Sequence, residues 1–288
     1  MFKAITEAGG FSAAQLVLNV SQSTISTQMA DLETRLGLKL CRRGRSGFSL
    51  TDDGRAVYQA AKELFQACEK FTAHVNERSG SLSGELRIAM ADSLVGNPSF
   101  PIEIIIDRLR RAMPEVSLIL SVADPLEIEQ QVMEQRLHAG IHTFPNRAPG
   151  LRYLRLFSEN QVLYCGRKHP LFDRPDDSFS IADVEQFDYA ARTYYGGSLR
   201  VGAFRPKLSS AKCTSMEGIA SLILSGHFVG HLPWQAASKW LESGQIRPII
   251  PEKLSYETSF DCVFSVGVQI ARPLEILEHH LRAELSLP

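Results

Sequence analysis

From Phe11 onward the apolar positions fall into short helical sets separated by single turn residues. Ser12 to Leu18 reads as a short helix, opened by the Ser12 hydroxyl and closed on its apolar face by Leu18. Asn19 ends it, because a short polar side chain tolerates the left-handed backbone of a tight turn. Ser21 then caps a second helix, Gln22 to Leu36, in which Ile25, Met29, Leu32 and Leu36 recur at helical spacing. Its other face, Gln22, Ser23, Ser26, Thr27 and Gln28, is small, uncharged and rich in donors and acceptors. Two helices joined by so short a turn, the second with a polar face suited to base edges, form the helix-turn-helix pattern.

Two alternating runs follow, Leu38-Lys39-Leu40 and Phe48-Ser49-Leu50, with Gly44 and Gly47 between them, so a hairpin wing is predicted. Thr51, followed by Asp52 and Asp53, has the hydroxyl cap and first-turn acids of a helix start. Val57, Ala61, Leu64, Cys68, Phe71 and Val75 then step by alternating fours and threes, the seam of a coiled coil. Tyr58, Ala60 and Phe65 leave room for the wider stripe of a helix buried in one domain. The spacing predicts one helix over 52–78 that pairs with a second copy, then a flexible link, Ser79 to Gly84.

Beyond Gly84 strands alternate with helices. Strands are predicted at Glu85–Met90, Val116–Val122 and Ala139–His142, with helices at Pro101–Met113 and Pro125–Arg136. The rhythm restarts with strands near Gln161–Gly166, Asp188–Ala191, Ala211–Thr214, Phe228–Leu232 and Ile246–Ile249, and helices at Ser215–Ser225 and Pro233–Ser243. A last helix spans Pro273–Leu285. The fold class is therefore α/β: a winged helix-turn-helix over 1–54, a linker helix over 51–79, and a two-lobed α/β domain over 85–288. Its first lobe comprises 85–161 and 265–288 and its second 162–264, with crossings near Phe157–Gln161 and Phe264–Val268. A parallel sheet carrying helices on both faces is expected in each lobe, with ligands beyond the strand ends.

Charge changes this picture only locally. The chain of 288 residues has a net charge of −1, yet Arg35, Lys39, Arg42, Arg43 and Arg45 follow one another with no acid between them. Clustered base beside a polar helix supplies what phosphate contact and groove reading require. Five scattered cysteines without a CxxC pair speak against a disulfide scaffold or a zinc module. His227 and His231 would share a face of a strand, but no third ligand is near, so no metal or other cofactor is expected. With no membrane-length apolar run and no charged-then-apolar leader, the cytoplasm is the expected location. A nucleophile–base or paired-acid signature is absent, so catalysis is not expected.

The chain resembles the LysR-type transcriptional regulators over essentially its whole length. The matching residues are Phe11-Ser12-x-Ala14, Leu18-Asn19-Val20-Ser21-Gln22, Ile25-Ser26, Leu32-Glu33, Leu36-Gly37-x-x-Leu40, Arg43-x-Arg45-x-Gly47 and Leu50-Thr51-x-x-Gly54. Looser matches follow at Gly84-x-Leu86-Arg87-Ile88, Gly140-Ile141, His169-Pro170-Leu171 and Gly226-x-x-x-x-x-Leu232-Pro233. The resemblance implies a coiled-coil linker helix, an effector domain like the periplasmic binding proteins, and assembly as dimers and dimers of dimers on promoter DNA. It departs from the family at Gln15, Ser23, Thr27 and Cys41; Thr27 replaces a common arginine and so removes a phosphate anchor. With only ten residues before Phe11, the first helix begins late.

On this reading Gln22, Ser23, Ser26, Thr27 and Gln28 meet base edges and nearby phosphates, while Arg42, Arg43 and Arg45 serve the backbone or the minor groove. The resemblance places a small-molecule effector at strand ends: Asp92, Ser93, Ala123, Asp124, His142, Tyr194, Tyr195, Gly196, Gly197, Met216 and Glu217. Family effectors are often small carboxylates. Here Asp92, Asp124 and Glu217 would crowd one mouth, pointing to a cation or a polyhydroxyl ligand, unless these acids cap helices and face away. Ser93 and the Tyr194–Gly197 loop are expected on opposite walls of one cavity. The competing reading is a cytoplasmic solute-binding or catalytic α/β protein with an accessory N-terminal domain.

Overall fold

The computed structural model describes residues 1–44, 47–78, 84–195, 201, 203–266 and 272–287, and the chain divides into two units, Met1–Ser79 and Gly80–Pro288. The first contains α1 (Phe2–Glu7), α2 (Phe11–Leu18), α3 (Gln22–Leu36), β1 (Cys41–Gly44), β2 (Gly47–Leu50) and α4 (Asp52–Arg78). Phe2, Ile5, Phe11, Ala14, Ile25, Met29 and Leu40 are buried together as its core. The late first helix is thus a six-residue α1 that still delivers two core side chains.

The turn between α2 and α3 follows the expectation: Asn19 is left-handed at φ 50°, and the Ser21 hydroxyl accepts from the Thr24 N–H at 3.2 Å. The expected Ser12 cap is corrected. α2 opens one residue earlier, at Phe11, with Gly10 before it making no side-chain cap, because Phe11 is drawn into the core.

The first wing strand is corrected too. It begins at Cys41 rather than Leu38 and pairs Cys41 with Leu50 and Gly44 with Gly47. Glu33 supplies the reason. Its buried carboxylate accepts from the backbone N–H of Leu40 (2.8 Å) and Cys41 (3.3 Å) and from the Lys39 ammonium (2.8 Å), so this stretch is tied to α3. Burial opposes the charge, but the Lys39 ammonium and these N–H donors together hold the carboxyl below its usual range.

Thr51 caps α4 as expected: its hydroxyl accepts from the Gly54 N–H at 2.9 Å and donates to the Lys39 carbonyl at 2.5 Å. The helix covers 27 residues, Asp52 to Arg78. Along the expected seam, Val57 packs with Tyr58 against the unit's own core and Ala61 is half-buried. Farther along, Leu64 is 62% exposed, Phe71 71% exposed, and Cys68 exposed; the Val75 side chain lies outside the described residues. The seam is therefore not uniform, since its first member is used at home.

The second unit contains β3 (Gly84–Met90), α5 (Ile102–Ala112), β4 (Val116–Val122), α6 (Pro125–Met133), β5 (Ala139–His142), β6 (Leu151–Gly166), α7 (Ile181–Val184), β7 (Asp188–Arg192), β8 (Leu208–Cys213), α8 (Met216–Leu224), β9 (Val229–Pro233), α9 (Trp234–Glu242), β10 (Ile246–Pro248), α10 (Pro251–Leu254), β11 (Tyr256–Ser265) and α11 (Arg272–Glu284). Nine strands of the described residues join in one sheet, ordered β4-β3-β5-β11-β6-β9-β7-β8 with β10 on β6. β3 pairs parallel with β4 and β5, and β7 parallel with β8 and β9, as alternating strands and helices require.

The sheet is mixed rather than parallel because β6 and β11 are long antiparallel partners that run from one lobe into the other. On β6, Leu156 and Phe157 belong to the first lobe's core, and Val162 to Cys165 to the cores of the second. On β11, Tyr256 packs in the second lobe, whereas Phe260, Cys262 and Phe264 lie in the first. The expected crossing at Phe264–Val268 is therefore corrected to between Tyr256 and Phe260; residues from Gly267 to Val268 lie outside the described ones. Phe157 and Phe260, opposite each other across the two strands, stack with centroids 4.6 Å apart. At the sheet's end, β4 leaves Ile119, Leu120 and Val122 at least 40% exposed.

Candidate functional site

On α3 the side chains of Gln22, Ser23, Thr27 and Gln28 are exposed and Ser26 is half-buried. At about 100° per residue, Gln22, Ser23, Ser26 and Thr27 fall on one side of the helix, whereas Gln28 lies about 100° beyond Thr27. Four of the five expected readers thus form one stripe and the fifth stands apart. The stripe is partly pre-ordered: Ser23 Oγ lies 2.8 Å from Ser21 Oγ, and the Thr27 hydroxyl donates to the Ser23 carbonyl at 3.0 Å. Thr27 therefore meets a partner as an acceptor. Beside this unit's helix, Arg42 is exposed on β1, and Arg43 stands opposite Phe48 in the hairpin register. Arg45 lies outside the described residues. Glu33 and Thr51, which fix the wing and α4 around α3, are the positioning residues here; Thr51 was legible as a helix cap, whereas only the motif resemblance signalled Glu33.

In the second unit a cleft opens between the lobes, about 570 Å³ in volume counting its open mouth. Of the expected residues, Asp92, Ser93, His142, Tyr194 and Met216 line it. Ser93 and Tyr194, one from each lobe, do share this cavity, and Ser93 holds a left-handed backbone at φ 60°. Tyr195 contributes only its backbone to the described structure, and Gly196 and Gly197 lie outside it.

Ala123, Asp124 and Glu217 do not line the cleft, which corrects their assignment. The Asp124 carboxylate caps α6, accepting from the Glu127 N–H at 2.9 Å. Glu217 is exposed in the first turn of α8, and Ala123 packs in the first lobe. The crowd of acids at one mouth is dispersed: Asp124 is a helix cap, as the alternative reading held.

Asp92 is the acid that remains, and it is not alone. Its carboxylate accepts from Arg192 of β7 at 3.2 Å and from the Met216 N–H at the start of α8. One side chain of the first lobe thus occupies an anion site built by the second, from a guanidinium and a helix N-terminus. Arg192 also donates to the Thr214 carbonyl at 2.6 Å and lies over the Tyr194 ring. Sequence reasoning missed Arg192 because the strand extends one residue beyond its expected end.

The deeper wall comes from the crossing strands. Glu159 and Gln161 of β6 and Tyr256, Thr258 and Phe260 of β11 face the cavity with Thr143, Tyr189 and His231. Glu159 is buried. It accepts from the amides of Gln161 (2.7 Å), Asn97 (3.1 Å) and Gln235 (2.7 Å), the last two from opposite lobes. Burial outweighs these donors and the charge of Arg192, and raises its carboxyl to about 7. His142 and His231 are held neutral, each lowered to about 4 by burial. His231 has both ring nitrogens engaged, by the Tyr189 hydroxyl at 2.9 Å and the Leu254 carbonyl at 2.8 Å, so it pairs with nothing at His227.

Known proteins share this organisation. The profile of the bacterial regulatory helix-turn-helix protein, lysR family, matches residues 1–55, and that of the LysR substrate binding domain matches 79–269. The chain is similar to the HTH-type transcriptional activator BauR of Pseudomonas aeruginosa, 39% identical over 98% of this chain and 92% of that one. In fold it is similar to full-length CbnR complexed with its target DNA, with a TM-score of 0.63, 21% identity, and 98% and 96% of the two chains covered. The Vibrio cholerae virulence activator AphB gives a TM-score of 0.61 at 15% identity, with 98% and 96% covered.

Proposed function

The chain belongs to the LysR family of transcriptional regulators, and we propose that it reads promoter DNA as a pair of chains and answers to a small polar effector held between its two lobes. It is a DNA-binding transcriptional regulator with an effector-binding domain. The similarity to an activator supports activation as the sense of that regulation. The observation that carries the DNA reading is the exposed polar stripe Gln22–Thr27 of α3, in the same unit as an exposed wing arginine. Pairing is supported by the apolar side chains that α4 leaves uncovered at Leu64 and Phe71. No described helix is long and apolar enough to cross a membrane, and we place the regulator with its DNA in the cytoplasm.

The two halves of the DNA surface have separable roles. Gln22→Ala is expected to cost about 1–3 kcal/mol on the cognate site and much less on random DNA, because it removes a base-edge donor and acceptor. Arg42→Ala is expected to weaken both and to flatten the salt dependence by about one unit of slope. Fluorescence anisotropy across a salt series, with the chain's own upstream region as cognate DNA, measures both. Equal losses on the two DNAs for Gln22→Ala would remove α3 from the role of reader.

A further inference from the structure

The charges along the cleft do not cancel. Asp92 and Arg192 are an ion pair, and His142 and His231 are neutral. Glu159 is the exception: 8% exposed, on the cavity wall, and hydrogen-bonded among the described residues by three neutral amides, with Arg192 acting on its charge without pairing with it. A buried carboxylate without a positive partner is costly, and it either takes up a proton or awaits a cation. Three donors also leave its acceptor capacity unfilled. Oε2 receives Asn97 and Gln235, but Oε1 receives Gln161 alone, and a carboxylate offers about four acceptor positions. Around it stand surfaces that tolerate an organic cation: the rings of Tyr189, Tyr194, Tyr256 and Phe260 and the hydroxyls of Thr143 and Thr258.

We propose that the effector of this cleft carries a protonated amine, and that the open acceptor position on Glu159 Oε1 receives it. This rests on the reading of the cleft as the effector site. It departs from a simple carboxylate effector because Arg192, the arginine lining the cleft among the described residues, is already paired with Asp92, so an acid alone would enter beside the Glu159 carboxyl without a guanidinium of its own. The raised pKa of Glu159 gives the binding a proton signature. Near neutral pH the empty site is partly protonated; an ammonium beside it favours the carboxylate, so binding expels a proton. Affinity then rises with pH through the neutral range and levels above it. The other ionisable groups facing the cleft do not mimic this: Asp92 and Arg192 are paired, and His142 and His231 titrate near 4.

The test is isothermal titration of the full-length protein with short aliphatic amines and amino acids, each matched by its alcohol or hydroxy-acid counterpart. The expected result is that amine-bearing probes bind, their counterparts bind at least about tenfold more weakly, and Glu159→Gln abolishes the difference. Repeating the wild-type titration in buffers of different ionisation enthalpy is expected to reveal proton release, a readout that does not depend on how the variant folds. Equal binding of amines and counterparts, no binding by any amine, or amine binding without proton release near neutral pH would each overturn the proposal. Hydroxy acids binding alone, and losing affinity in Ser93→Trp, would overturn the amine while leaving an effector in the cleft. Binding untouched by Ser93→Trp would place the ligand elsewhere and overturn both readings.

Discussion

Gly54→Ala is expected to unfold the DNA-binding unit, or to destabilise it by about 3 kcal/mol or more. A Cβ at this position would lie 1.9 Å from the Leu40 carbonyl oxygen and 2.8 Å from the Leu40 carbonyl carbon. Both are backbone atoms, so no rotamer change relieves the overlap. Nor is Leu40 free to move: its side chain is fully buried, its N–H is bound by Glu33, and its carbonyl accepts from the Thr51 N–H at 3.1 Å. Either α4 withdraws from the wing or Leu40 leaves the core. Thermal melting followed by circular dichroism, with limited proteolysis to separate the two units, measures the loss. An unshifted melt for the first unit would mean that the wing and α4 are not packed as described.

Leu64→Glu is expected to dissociate the paired chain. In this structure Leu64, Cys68 and Phe71 are uncovered on a helix whose earlier turns already serve the unit's own core. A second copy seated on them would bury each Leu64, and a carboxylate there would be buried without a partner. The cost is about 3 kcal/mol or more, roughly a hundredfold in the dimer constant. Since each chain reads one half-site, loss of pairing also removes the advantage of a second tethered head, on the order of 10²-fold in operator affinity. Sedimentation equilibrium and operator titration should fall together. An unchanged oligomer would exclude the seam, and the exposed β4 residues Ile119 and Val122 would then be the surface to test.

What the sequence made legible was whatever a local rule governs. The cap at Ser21, the left-handed Asn19 and the periodicity of Ile25 and Met29 each act within a few residues, so α3 could be read directly. Asp92, Ser93, His142, Tyr194 and Met216 were reached differently, from the family resemblance, which points to the loops at strand ends. Residues whose role depends on distant pairing were not reached. β11 carries Glu257, Thr258, Ser259 and Asp261 among its apolar residues, and such a run reads as solvent-facing unless its ten-residue partner in β6 is known. The cleft residues on β11, Tyr256, Thr258 and Phe260, were missed for that reason, and Glu159 and Gln161 of β6 because their strand was expected to begin only near Gln161. Asp124 was misplaced for a related one: an acid before a helix caps it as readily as it faces a ligand, and only the bond to Glu127 decides.

A footprint of the full-length protein on the DNA upstream of its own gene tests the account most directly. Two chains joined along α4, each reading with α3, are predicted to protect two half-sites on one face of the duplex, their centres separated by whole helical turns of about 10.5 base pairs, and Gln22→Ala is predicted to erase that pattern. Protection confined to a single uninterrupted site, or no more specific than on random DNA, would contradict it.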